Sequence, residues 1–195
     1  MSEGSPSSGL SRAAEEYEFV KSGLPPLKWP SRGGKEVRGK EHEVFFRGKR
    51  VWKYQIGPAL HPILQGKKLA VREALPTEYL ARLTLQNQLF GDDLRVEGAL
   101  SSGKIVTSQT TIKGGDPVEK EIETTLGDLG WQRIPTQFHS LPHNLMATAW
   151  IHPVERVVMV DARCPNFKKT VSGDVLAIDL MLAPANHEML QLFVS

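Results

Sequence analysis

The sequence predicts an α+β fold, with antiparallel strand pairs and separate helices rather than a wound parallel sheet. Three observations carry that expectation. Strand-like runs come in neighbouring pairs joined by short Gly-containing turns, which is the signature of hairpins. Two helical segments stand between the pairs, each ended by glycine. The size also fits one core: 195 residues, 40% hydrophobic and 24% charged, make a single globular domain the default.

Taken in order, residues 1–32 are rich in Ser, Gly and Pro and read as a flexible N-terminal arm, with one short helical candidate over Ser11–Ser22. The compact domain spans 33–195. Its first hairpin is His42–Phe46 and Arg50–Gln55 around Arg47-Gly48-Lys49, and Gly57–Lys68 follows as a Pro/Gly-punctuated loop. A helix begins at Pro76-Thr77-Glu78, where Thr77 suits the N-cap and Glu78 the first turn. Leu80, Leu83, Leu85, Leu89 and Phe90 give it an apolar stripe, and Gly91 stops it. Two short strands, Leu94–Leu100 and Lys104–Gln109, precede an acidic helix from Pro117 to Leu129. Strands at Ala147–His152, Val157–Val160 and Val175–Leu180 complete the chain.

Composition narrows the function classes. The net charge of +2 demands no nucleic-acid partner. Between Lys28 and Lys53, however, nine Lys/Arg face three Glu. That basic stretch could attract phosphates of a nucleotide or nucleic acid, or a protein partner; it also fits a solvated edge. One cysteine, Cys164, excludes an intrachain disulfide and suggests a reducing compartment. With no apolar leader and no run of roughly 20 apolar residues, the expectation is a cytoplasmic protein with no membrane segment.

The chemistry-bearing pattern lies near the C-terminus. The apolar run Val157–Val160 ends on Asp161, Asn166 follows five residues later, and Asp179 ends the next apolar run thirteen residues beyond. Carboxylates and amides of this kind can orient a hydroxyl and hold magnesium against phosphate oxygens. Taken alone, the same three residues also fit caps on strand ends. Lys53, likewise, fits a surface lysine on a half-buried strand, and Glu78 a charge at a helix N-terminus.

The order of these features resembles the protein-kinase-like fold, most closely the small kinase-like domains of bacterial and phage polyvalent proteins. Those carry a segment like Pro76-Thr77-Glu78-Tyr79-Leu80 running to Phe90-Gly91-Asp92-Asp93, then a strand pair and an Asp-x-x-x-x-Asn…Ile-Asp-Leu end, and the likeness spans roughly 33–182. The resemblance implies an antiparallel N-terminal sheet with one helix and a reduced C-terminal lobe carrying a catalytic-loop hairpin. It implies ATP and Mg2+ as cofactors. Lys53 would contact the α/β-phosphates with Glu78 holding its ammonium, Asp161 would accept or orient the substrate hydroxyl, and Asn166 and Asp179 would ligate the metal.

The departures set the alternatives. No Gly-x-Gly-x-x-Gly loop is present, with only Ser31–Lys35 and Gly39-Lys40 as candidates for that cover. Val160 and Ala162 flank Asp161 where protein kinases have His and Arg, although Arg163 lies nearby. Leu180-Met181 follows Asp179 in place of Phe-Gly, and sixteen residues after Asp179 leave no room for an activation segment. A regulated protein kinase is therefore not expected. The expectation is an ATP/Mg-dependent phosphotransferase, with a catalytically degenerate binding module for nucleotide, nucleic acid or protein as the alternative.

Other constellations are weaker. His139 and His143, with His152 and Cys164, could be drawn together as a zinc site, but Pro142 argues against a helix there. Cys164 lacks a histidine base at a telling spacing. Gly114-Gly115-Asp116-Pro117 reads as a plain loop, and the four tryptophans are dispersed as in core packing.

Overall fold

The computed structural model describes residues 12–29, 36–142, 145 and 148–194. Strands β1 (Glu36–Arg38), β2 (His42–Arg47), β3 (Arg50–Gln55), β6 (Arg95–Ala99) and β7 (Ile105–Thr110) form an antiparallel sheet in the order β1-β2-β3-β7-β6. The second sheet comprises β8 (Gln132–Arg133), β9 (Trp150–His152), β10 (Val157–Val160) and β13 (Met181–Pro184), in the order β13-β10-β9-β8. A small hairpin, β11 (Phe167–Lys169) with β12 (Val175–Ala177), stands beside it. The α+β class is therefore observed, with antiparallel pairing throughout the named sheets.

Helix α2 (Pro76–Phe90) joins the two halves. Tyr79 and Leu83 pack with Leu94 and Ile105 of the first half, whereas Leu85, Leu89 and Phe90 pack on Trp131, Met159 and Leu182 of the second. Pro76 occupies the first helical position, where a missing N–H costs nothing, so Leu75 rather than Thr77 is the N-cap. Glu78 closes half of a capping box by accepting the Leu75 N–H at 2.8 Å. Thr77 instead donates to Glu16 Oε2 at 2.6 Å. Gly91 ends the helix in the left-handed region at φ 63°, its N–H returning to Asn87 O.

Helix α1 (Arg12–Gly23) lies within the sequence-defined arm. It docks on α2, with Val20 buried against Ala59, Tyr79 and Leu83. The following residues join the edge of the first sheet: Ala99 N–H donates to Pro25 O and Leu27 N–H to Ala99 O. Acidic helix α3 (Glu119–Asp128) buries Ile122 and Leu126 against the second half.

The expected loop over Gly57–Lys68 is a correction. Residues there form β4 (Leu60–Gln65), paired with β5 (Lys68–Glu73) through a turn at Gly66-Lys67. Pro62 is tolerated because a two-stranded ribbon consists of edges only. What stabilises the ribbon is not visible locally: Leu60, Leu64, Leu69 and Val71 pack on Ile151, Val158 and Ala183 of the second sheet. The C-terminal strand expected over Val175–Leu180 also differs. Pairing ends at Ala177, and Ile178-Asp179-Leu180 links two different sheets. β13 and helix α4 (His187–Phe193), which caps one core with Met189 and Phe193, are not foreseen in the sequence reading.

Strand β10 shows why its sequence is an unbroken apolar run. Val158 and Val160 enter one core, while Val157 and Met159 enter the other. A strand buried on both faces has no polar alternation. Leu69 is fully buried at the ribbon's contact with this sheet. Leu69→Ala should lower unfolding stability by about 2–5 kcal/mol in denaturant titration; a cost below about 0.5 kcal/mol would mean that the ribbon is not packed as described.

Candidate functional site

Lys53 lies mid-strand in β3, opposite Val44 on β2 and Thr107 on β7, in the middle of the first sheet. Alternation turns its side chain away from solvent and towards the second half. Only 9% of the residue is exposed, and Nζ donates to Ile178 O at 2.8 Å. Asp179 Oδ1 lies 3.7 Å from the same ammonium. Lys53 and Asp179, distant in sequence, therefore do meet.

Asp161 and Asn166 form the second part. Asp161 has φ 64°, a left-handed conformation that Asp tolerates better than most side chains. Asn166 Nδ2 holds it there, donating to Asp161 O at 2.7 Å and to Oδ2 at 2.8 Å. Arg163 Nε lies 2.6 Å from Asp161 Oδ1, an ion pair without well-directed hydrogen-bond geometry. The backbone closes the unit, because Ile178 N–H donates to Asn166 O at 2.9 Å. One hydrogen bond thus ties the Asn166 turn to the residue before Asp179.

These groups border one cavity of about 290 Å3, near the lower end of small-molecule sites. Lys53, Asn166, Lys168 and Asp179 supply its polar end. Val37, Val44, Phe46, Val51, Ile112 and Ile178 supply apolar walls. Gln109 to Ile112, leaving the end of β7, form a further side. The crossing segment is held close: a Cβ on Gly114 would come within 2.1 Å of Lys169 O, so only glycine fits there. Asp161 stands beside the cavity rather than in its lining.

Glu78 does not join the site. It is a correction to the expected lysine–glutamate pair: Arg72 on β5 takes the carboxylate with two bonds of 2.6 and 2.8 Å. Glu78 sits in the first turn of α2, alongside the β4–β5 ribbon. The residue of α2 that reaches the site is Arg82, one turn further on. Its Nη2 donates to Asp179 Oδ1 at 2.9 Å, its Nε to Leu180 O at 2.7 Å, and its Nη1 to both oxygens of Glu41 at 2.9 and 3.1 Å. Gln86 Oε1 accepts the Leu180 N–H at 3.2 Å. Near this network His42 Nε2 and the Tyr79 hydroxyl share a 2.9 Å hydrogen bond.

The sequence reading missed Arg82, Gln86, Glu41 and Lys168. One signal was available for the first two: Tyr79, Arg82, Leu83 and Gln86 lie at helical spacing on one face, and a charge inside such a face needs a buried partner.

Electrostatics separates the two aspartates. Burial alone would raise Asp179, but the Lys53 ammonium and Arg82 guanidinium outweigh it and hold the carboxyl below the ordinary range. Asp161 moves the other way. Burial raises it, Asp179's negative charge adds to the rise, and Arg163 and Asn166 offset only part. A permanent anion beside a carboxylate of raised pKa is the pattern by which acid–base roles are divided. His42 is lowered chiefly by burial, so it is neutral at pH 7.

The basic stretch does not form one patch. Lys53 is in the cavity, and Arg50 pairs with Asp93 at 2.5 Å. Arg38 and Lys40 flank one end of β2, while Arg47 and Lys49 flank the other. Arg32 and Lys35, and the candidate glycine cover at Ser31–Lys35, lie outside the described residues, as does His143. No cluster of three or more His, Cys, Asp or Glu among the described residues is arranged to hold a metal. No helix among them is long and apolar enough to cross a membrane.

No protein-family model matches the chain, and no significant match was found among curated proteins or solved structures.

The Arg72 hydrogen bonds lower the Glu78 carboxyl from 4.5 to about 2, outweighing burial, which acts the other way, and the Leu75 N–H helps. A depressed carboxylate stabilises the folded state above its unfolded pKa, and that contribution fades as pH falls through the folded value. Glu78→Gln should therefore cost about 1 kcal/mol at pH 7, after allowance for solvent screening, and nearly nothing at pH 2. Denaturant titrations at both pH values check this; an equal cost at both would contradict the ion-pair assignment.

Proposed function

We propose that this chain binds ATP with Mg2+ in the cavity between its two halves and acts as a kinase-like phosphotransferase on an acceptor of unassigned class. One observation carries the reading: Lys53, Asn166 and Asp179, far apart in sequence, line a single cavity, and Asn166 is bonded directly to Asp161.

The residues fit a magnesium ion that arrives with its nucleotide. Mg2+ commonly takes one or two carboxylates and completes its shell with water and substrate phosphates, so no pre-built acidic cage is required. Asn166 commits its amide nitrogen to Asp161, which leaves its oxygen as the ligating atom. Asp179, held ionised, supplies a carboxylate. The bound ion would neutralise phosphate charge and help hold the triphosphate.

The rest is done by the chain itself. Lys53 can swing from Ile178 O to a phosphate oxygen, exchanging a neutral acceptor for an anionic one. Lys168, which also lines the cavity, is ion-paired with Asp116 and would add a second cation for the phosphate chain on exchanging that partner. The apolar walls can take a flat base and exclude water from it. Asp161, with its raised pKa and fixed carboxyl, orients the acceptor hydroxyl and can take its proton. Glu78 has no part in this reading; Arg82 and Glu41 organise the site in its place.

The non-catalytic alternative keeps the same nucleotide site without turnover. It is favoured by one feature: Asp179 already has two cationic partners, Lys53 and Arg82.

Two outcomes are expected. Mg·ATP at about a hundred times its Kd should stabilise the fold by about 2.7 kcal/mol, a Tm rise of roughly 5–10 °C, and Asp179→Ala should remove about half of that shift or more. Asp161→Asn should keep that shift while lowering any kcat by about 10²–10⁴-fold. A well-folded protein with no Mg·ATP shift contradicts the nucleotide reading. A full shift with no ATP consumption against a panel of hydroxyl acceptors, or in water, selects the non-catalytic alternative.

A further inference from the structure

Asp179 sits on a three-residue link with no strand partner of its own, yet its surroundings are the most heavily bonded in the site. Helix α2 grips the following peptide from both sides. Arg82 Nε donates to Leu180 O at 2.7 Å, and Gln86 Oε1 accepts from Leu180 N–H at 3.2 Å. The two side chains are four residues apart, one helical turn, so they bracket a single peptide residue as a clamp. The same guanidinium then reaches the carboxylate. Nη2 donates to Asp179 Oδ1, which is also the oxygen nearest Lys53.

Both cations therefore engage Oδ1, and Oδ2 remains as the oxygen for an incoming cation. Glu41 fixes the fork from behind by taking Nη1 with both its oxygens. Arg82 itself is only 4% exposed and so has no room to change rotamer. The arrangement has a defined consequence: the carboxylate is presented in one orientation and by one atom.

We infer that Arg82 is a positioning residue, clamped by Glu41, that presents Asp179 to a nucleotide-bound divalent cation through a single oxygen. The inference rests on the nucleotide reading above. It goes further by making metal affinity, not nucleotide affinity, depend on α2. Phosphate contacts would run through Lys53, and through Lys168 once it leaves Asp116; Arg82 bonds neither side chain. The metal contact runs through Asp179, which it does. Partners of this outer kind commonly change metal affinity by about 10–100-fold when removed.

The test compares ATP binding by calorimetry with and without Mg2+ for the wild type, Arg82→Lys and the double variant Glu41→Gln/Arg82→Met. The double variant removes Glu41 together with Arg82, so that Glu41 is not left unpaired, and Asp179 keeps Lys53 as its cationic partner. Far-UV circular dichroism and a thermal melt check folding. Mg2+ should tighten ATP binding by the wild type by at least about tenfold, and the double variant should lose most of that gain while its metal-free affinity stays within about threefold. Arg82→Lys should fall between them, because one ammonium can hold Oδ1 but cannot also span Leu180 O and Glu41.

A full Mg2+ gain in the double variant overturns the inference. So does an equal loss of affinity with and without Mg2+, which marks a merely structural role. Should the double variant not fold, Arg82→Lys decides: an undiminished gain there overturns it, and a reduced gain at unchanged metal-free affinity supports it. Failure of the wild type to bind ATP at all is a different result, which removes the nucleotide reading and this inference with it.

Discussion

The guanidinium of Arg82 is the interaction on which the arrangement of this protein depends. It is buried and makes four hydrogen bonds to two chain segments: Glu41, just before β2, and the Asp179-Leu180 link, through the carboxylate of one and the carbonyl of the other. A buried charge costs several kcal/mol in desolvation unless it is fully paired, so this site tolerates few alternative geometries. Its stabilising value is modest against a packed apolar replacement. Its specificity is not, because no other rotamer would satisfy the same partners.

Around that centre the fold solves a connection problem. Two sheets with separate cores are joined by α2, whose apolar side chains serve both: Tyr79 and Leu83 one way, Leu85, Leu89 and Phe90 the other. The polar face between those stripes, Arg82 and Gln86, looks onto the seam where the halves meet. The cavity lies at that seam because a seam is where backbone groups, strand ends and unpaired links come together. Asp179 occupies a link between two sheets, Asp161 follows directly after a core strand, and Lys53 projects from the centre of the opposite sheet. Each local rule broken there, including the left-handed Asp161, is offset by bonds within the site.

Much of this was legible in the sequence, for physical reasons that also mark the limits. The β2–β3 hairpin, α2, the β6–β7 pair and α3 carry their signals locally, in turn glycines, periodic leucines and end residues. The order of motifs led to the expectation that Lys53, Asp161 and Asp179 share one cavity; Lys53 and Asp179 do line one, with Asn166, whereas Asp161 stands beside it. The β4–β5 ribbon was not legible, since Pro62 and Gly66 suggest a loop and only distant contacts with the second sheet make it a ribbon. The same gap misassigned Glu78, whose partner Arg72 lies on that ribbon. The sequence up to Leu180 looks like a strand because Val175–Ile178 is an apolar run; the chain leaves the ladder after Ala177 to bond with α2 and Asn166 instead. Arg82 was hidden by its neighbours, a single cation in a leucine-rich helix whose partners are 41 and 97 residues away.

The central claim is that one cavity gathers a cation, an amide and a carboxylate to hold a metal-bound triphosphate. A crystal structure of the protein soaked with Mg2+ and a non-hydrolysable ATP analogue tests it most directly. The account expects phosphate density beside Lys53 and a metal peak bridging it to Asn166 and Asp179, with the base against the apolar wall of Val37, Val44 and Val51. Nucleotide density elsewhere on the protein, or a clear map with that cavity empty at saturating analogue, would contradict it.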